Sequence, residues 1–86
     1  MYAIVTVTGS DHPGIVAGVT SALAEHKANI LDISQTLMGG FFTMILRVEV
    51  SSSIDELQEG LAVVEREQAT VIRVQSEDLF TAMNEL

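Results

Sequence analysis

The ten residues from Phe41 to Val50 constrain this chain more than any other stretch. Taken alternately, Phe42, Met44, Leu46, Val48 and Val50 are all apolar, whereas Phe41, Thr43, Ile45, Arg47 and Glu49 are mixed. A period of two with one wholly apolar side describes a strand with one face on a core and the other in solvent or an interface. Gly39-Gly40 comes just before it, a pair that takes positive φ at both positions at little cost. Upstream of the glycines, Asn29 to Met38 alternates as well, with Leu31, Ile33 and Leu37 on one side and Asp32, Ser34 and Thr36 on the other. The two segments form a β-hairpin, and something must cover its apolar face.

Two helical segments supply the cover. From Pro13 to Lys27, Ile15, Val16, Val19, Ala22, Leu23 and His26 recur at helical spacing, with Gly18 the weak point. Further on, Ser53-Ile54-Asp55-Glu56 is a Ser-x-x-Glu capping box, followed by Leu57, Leu61 and Val64 on one stripe. The outer residues Glu56, Glu59, Glu65 and Glu67 read as a solvated surface with no chemistry assigned. Tyr2 to Thr8 and Thr70 to Gln75 are β-branched runs of strand type, and Ser76 can cap a last helical turn or two carrying Leu79, Phe80, Met83 and Leu86. The order is βαββαβ plus a short C-terminal helix. This predicts an α+β fold, a ferredoxin-like sandwich with strand order 4-1-3-2 and both main helices on one sheet face. The other face would present Tyr2, Phe41, Ile45 and Val71 among polar groups, a surface suited to a second copy, so a homodimer is expected.

Size and charge narrow the field. At 86 residues the chain is expected to be one domain over 1–86, burying roughly 60–70% of its extended-chain surface. Cysteine is absent, which excludes disulfides, thiolate metal sites and thiol nucleophiles. No apolar stretch approaches the ~20 residues of a membrane span, so a soluble, cytoplasmic protein without membrane contact is expected. Twelve acidic against four basic side chains give a net charge of −8, which repels nucleic-acid backbones. The fold class hosts many activities, and residues must choose among them. An RNA-recognition domain needs a basic surface and strand aromatics, a soft-metal carrier needs a Cys pair, and an acylphosphatase-like enzyme needs an arginine in the first turn. This chain has neither of the first two in the required pattern, no cysteine, and only His12 in that turn.

The first turn is the segment with binding character. Gly9-Ser10-Asp11-His12-Pro13-Gly14-Ile15-Val16 joins the first strand to the first helix. Asp11 is suited to cap a helix beginning near His12, with Pro13 in its first turn, and Gly14 leaves the backbone bare where first-turn N–H groups and the positive helix end point outward. Such a place suits a carboxylate or phosphate, although the same residues also make an ordinary tight turn. His12 reads either as a carboxylate holder when protonated or as a solvent-exposed turn residue. His26 is expected to complement the end of its helix, and no ligand pair for a metal is visible.

Together with Asn29-Ile30 at the start of the second strand, Asp11-His12-Pro13-Gly14-Ile15-Val16 resembles the signature of the ACT domains, small regulatory modules that bind amino acids. Asp32-Ile33-Ser34-Gln35-Thr36, Phe41-Phe42-Thr43-Met44 and Asp78-Leu79-Phe80-Thr81-Ala82-Met83 extend the likeness to stand-alone single-ACT proteins, which are similar to the two-ACT repressor of the glycine cleavage system. The resemblance implies a ligand site at a dimer interface, between the first turn of one subunit and strand two of another. It implies Asp11, His12, Pro13, Gly14, Ile15, Asn29 and Ile30 as ligand-binding residues, with Gly14 and Ile15 amides for a carboxylate and Asp11 for an ammonium group. Serine-binding relatives can carry a polar side chain at the position of Gly9, which here has none. The expected function is therefore a non-enzymatic sensor of an amino acid or related carboxylate, with no cofactor and no catalytic or metal residues. A ligand-independent module docking a metabolic enzyme or regulator through its open sheet face is the alternative.

Overall fold

The computed structural model describes residues 1–84, excluding the side chains of Phe80, Ala82, Met83 and Asn84. Of the apolar residues expected on the last helix, Phe80, Met83 and Leu86 therefore lie outside the description. The elements run β1 (Tyr2–Ser10), α1 (Ile15–Glu25), β2 (Asn29–Met38), β3 (Phe41–Glu49), α2 (Ile54–Gln68), β4 (Thr70–Ser76) and α3 (Glu77–Asn84). The strands form one antiparallel sheet in the order β2-β3-β1-β4, the predicted order reversed in direction of listing. Gly39 and Gly40 turn the β2–β3 hairpin at φ 57° and 88°, as two positive-φ glycines should.

The register places Val7, Met44 and Ile72 in one row across the sheet and Val5, Leu46 and Val74 in the next. These side chains point to the helices and are buried with Val48 and Val50. Val19, Ala22 and Leu23 of α1 and Leu57, Leu61 and Val64 of α2 close the core from above. Leu57 and Leu61 have no exposed surface, so shortening either to alanine removes about 2–5 kcal/mol. Gly18 is no mere weak point, for a Cβ there would already touch Val64, and its absence lets α1 and α2 approach.

Ser53 caps α2 as expected, accepting from the Glu56 amide at 3.1 Å, and the Glu56 carboxylate faces the Ser53 hydroxyl at 3.4 Å rather than the Ser53 amide. Ser76 likewise accepts from the Leu79 amide and starts α3. The first helix departs from expectation. It begins at Ile15 rather than near His12, its N-cap is Gly14 in the left-handed region (φ 99°), and no side chain caps it. Pro13 lies in the turn ahead of it. Asp11 does not cap because it stands three residues ahead of the N-cap; its amide donates to the Gly40 carbonyl at 2.8 Å, tying the loop to the hairpin end.

The two sheet edges differ. On α2, Gln58 and Glu65 lie seven residues apart, two turns along one stripe, and both reach over the outer edge of β4. Gln58 Nε2 donates to the Ile72 carbonyl at 2.9 Å, its Oε1 accepts from the Val74 amide at 2.8 Å, and Glu65 accepts from the Ile72 amide at 3.0 Å. Glu65 is thus not the plain solvated residue that its sequence position suggests. Among the described residues no side chain bonds the backbone of β2, the opposite edge. The helices also stop short of β2, leaving Ile33 and Leu37 on the helix side 49% and 60% exposed. Long edges with apolar side chains and unpaired backbone groups are templates for another strand.

Candidate functional site

The loop Asp11–Gly14 sits where β1 passes into α1, beside the hairpin end of β2 and β3. A recess of about 250 Å³ opens there, lined by Asp11, Gln35, Thr36, Leu37 and Phe42. Asp11 is the charged group of this lining, Gln35 adds an amide, and Leu37 and Phe42 give it an apolar wall. The first-turn amides of α1 carry no capping side chain and no acidic residue stands in that turn, so the positive end of the helix is uncompensated.

His12 is not a free turn residue. Its Nε2 lies 2.6 Å from the Gln68 carbonyl oxygen at the end of α2, and its Nδ1 lies 3.0 Å from the Pro13 carbonyl oxygen. Those carbonyls, first Gln68 and then Pro13, raise the imidazole pKa above its ordinary value, with Asp11 acting in the same direction and desolvation opposing. The Gln68 side chain also packs at Gly14, within 3.3 Å of where a Cβ would stand. Ile15 is buried in the core, so only its backbone faces the loop.

Asn29 and Ile30 stand elsewhere. They begin β2, while the loop lies at the end where β2 finishes, and ten residues of strand separate the two by about 30 Å. Within one chain the two halves of the expected site do not meet. Ile30 packs partly against the core, Asn29 is exposed, and a β-bulge at Leu31 interrupts the pairing just beyond them. The signal that sequence reasoning missed was the Gln58/Glu65 pair, polar residues on a helix rim next to a strand. Gly9 is explained locally: it faces Thr70, whose Cγ2 would lie 3.1 Å from any Cβ, so a ligand-touching side chain there would crowd β4.

Away from the loop, His26 ends α1 and packs on Gly60, where a Cβ would overlap its ring. On the face opposite the core, Arg47 pairs with Glu77 at the start of α3 and lies over the Tyr2 ring, 4.7 Å from its centroid.

The chain is a split βαββαβ sandwich of the ferredoxin-like class, with a polar-and-apolar recess at its first loop and one free sheet edge. Its sequence matches the ACT domain family over residues 1–75, and the chain belongs to that family. A protein of the UPF0237 group from Corynebacterium efficiens is 52% identical over the whole of both chains. An ACT domain protein from Streptococcus pneumoniae superposes with a TM-score of 0.83 at 38% identity, over 93% of each chain. The regulatory subunit of aspartate kinase from Thermus thermophilus, in a ligand-free form, matches at TM-score 0.71 and 29% identity, over 86% of this chain and 50% of that one. A putative glycine cleavage system transcriptional repressor shares the fold, at TM-score 0.76 and 21% identity, over 86% of this chain and 44% of that one.

Proposed function

We propose that this chain is a non-enzymatic sensing module that binds an amino acid or related small carboxylate between two copies of itself. The observation that carries this reading is the placement of the two half-sites at opposite ends of β2, the strand with the open edge. Antiparallel pairing of β2 with β2 of a second copy about a two-fold axis brings Asn29 and Ile30 of each chain toward the Asp11 loop of the other. The ligand's carboxylate then meets the Gly14 and Ile15 amides, its ammonium group meets Asp11, and the second copy contributes Asn29. His12 and Pro13 take part by shaping the loop. The regulatory subunit of aspartate kinase, a relative by fold at 29% identity, supports a regulatory use. Ligand seated across the interface favours one dimer geometry by its differential affinity, and a partner protein reads that geometry.

A thermal-shift panel of the twenty amino acids and short carboxylates tests this reading, because a ligand of the folded dimer must raise the melting midpoint. Asp11→Ala and Asn29→Ala should each abolish the shift. Co-refolding the two variants in equal amounts restores about a quarter of the wild-type sites, because half of the dimers are then mixed and each mixed dimer holds one intact site. No shift with any compound at millimolar concentration defeats the proposal, and no recovery on mixing defeats the shared site.

A second reading rests on the sheet face opposite α1 and α2. Phe41 there is 68% exposed, with Tyr2, Ile45 and Val71 also open. The register puts Arg47 and Arg73 on this face with Asp32 and Glu49, and Glu77 of α3 joins them there as the partner of Arg47. A partly apolar face with both signs of charge suits docking of a metabolic enzyme or regulator without any ligand. Under that reading Ile45→Glu disrupts the complex and Asp11→Ala leaves it intact.

A further inference from the structure

We propose that His12 is a proton-operated latch: carrying both ring protons, it pins the β1–α1 loop to the last turn of α2, and on losing one it lets the loop go. The geometry leaves the ring little choice. Both of its nitrogens face carbonyl oxygens, Gln68 at 2.6 Å and Pro13 at 3.0 Å, and a carbonyl can only accept. A neutral imidazole has one donor, so either tautomer turns a lone pair onto an oxygen at hydrogen-bonding distance. The imidazolium satisfies both. The shorter of the two contacts has the length of a charge-assisted bond, and its acceptor is a last-turn carbonyl of α2, where the negative end of the helix favours a cation.

The surroundings agree in sign. From its own loop the ring faces the Asp11 carboxylate. The last turn of α2 carries Arg66 and Glu67, both exposed and opposite in charge; β4 begins with neutral Thr70; the first turn of α1 has no acid. Because the pKa is raised in the latched state, the latch is fully made below the ordinary imidazole value of 6.5 and is lost as pH rises through the raised value. The loop is tied at two other points, by the Asp11 amide to Gly40 and through Gly14 packing on Gln68. Deprotonation therefore loosens the stretch from His12 to Gly14 and leaves β1, the hairpin and the buried Ile15 in place. That stretch holds the Gly14 amide, which the ligand reading above assigns, with that of Ile15, to the carboxylate. Resting on that reading, the latch makes ligand affinity fall as pH climbs above neutrality, and makes binding take up a proton.

Titration of the full chain with ¹⁵N-labelled histidine, followed by NMR, reads the latch without any ligand. His12 should titrate above 6.5, and the exchange protection of the Gly18 amide, which donates to the Gly14 carbonyl at 2.9 Å, should fall about tenfold across that midpoint after correction for intrinsic rates, the scale of one charge-assisted hydrogen bond. Amides of β3 serve as the internal reference. In His12→Gln, which keeps one donor and cannot change charge, the Gly18 protection should be independent of pH over the same range, whereas His26→Gln should leave the wild-type profile unchanged. A His12 midpoint at or below 6.5, or Gly18 protection that does not follow its titration, overturns the latch. Thermal-shift panels repeated on both sides of the midpoint separate the two proposals. A titrating latch with no ligand response at either pH removes the ligand reading alone, and a ligand response equal at both pH values removes the latch's control of the site.

Discussion

Gln58→Glu replaces one oxygen-and-nitrogen head group by two oxygens of nearly the same shape, and the structure gives it a definite cost. Gln58 offers one donor and one acceptor to β4, at 2.9 Å from the Ile72 oxygen and 2.8 Å from the Val74 nitrogen. A carboxylate keeps the bond from Val74 and loses the bond to Ile72, placing an anionic oxygen against a carbonyl oxygen. It also brings a second negative charge toward Glu65, which already holds the Ile72 amide. The lost hydrogen bond is worth about 1 kcal/mol and the repulsion on this half-exposed rim about as much again. A loss of about 2 kcal/mol corresponds to a drop in midpoint of roughly 8–15 °C for a domain of this size. Urea and thermal melts at fixed protomer concentration measure it, with Gln58→Met as the uncharged control of similar size. At pH 4 the introduced carboxyl regains a proton it can donate, so the difference from wild type at that pH should shrink. A variant within 0.5 kcal/mol of wild type at pH 7, or a gap unchanged at pH 4, would refute the idea that these side chains act by filling the hydrogen-bonding positions of the β4 edge.

Other expectations follow from single contacts. Ser53→Ala removes the acceptor for the Glu56 amide and should cost about 1 kcal/mol of stability by denaturant melt, with Ser53→Thr close to neutral. Gly40→Val places a β-branched residue at φ 88°, and circular dichroism melts should show a loss of about 1–2 kcal/mol with the core otherwise intact. The Arg47 guanidinium holds the Glu77 carboxyl below its ordinary value. That pair therefore adds stability above the unfolded carboxyl pKa and loses it as pH falls through the lowered value. Arg47→Met should flatten the acid limb of the stability curve below about pH 4.5, and an unchanged limb would show that the pair is not coupled to folding.

The parts of the fold that depend on local pattern were legible in the residues. Strict alternation over Phe41–Val50, two glycines at a turn and a Ser-x-x-Glu box each specify their structure through nearby atoms, and each stands where expected. The start of α1 was not legible for the converse reason. Asp11 and Pro13 favour an early helix start on local grounds, but the Asp11 amide is taken by Gly40, about thirty residues away in sequence, and the helix waits until Ile15. His12 looked like an ordinary turn residue because its partner, Gln68, is at the far end of another helix. The candidate site was legible as a set of residue types and not as a place: nothing in the spacing of Asp11 and Asn29 says that one strand will carry them to opposite ends. That separation depends on β2 being an edge paired only to β3, a fact of topology.

In polymer chemistry the number of reactive ends on a monomer decides what it makes. A unit with two reactive ends grows into a chain, and a unit with one stops after a single coupling. By sealing β4 with side chains of α2 while leaving β2 bare, this sandwich is monofunctional along its sheet. Whatever strand β2 accepts consumes the one open end, and the product presents only stoppered edges. Opening the β4 edge, as Gln58→Ala combined with Glu65→Ala would do, changes the valence of the unit and turns a self-terminating pairing into one that can propagate.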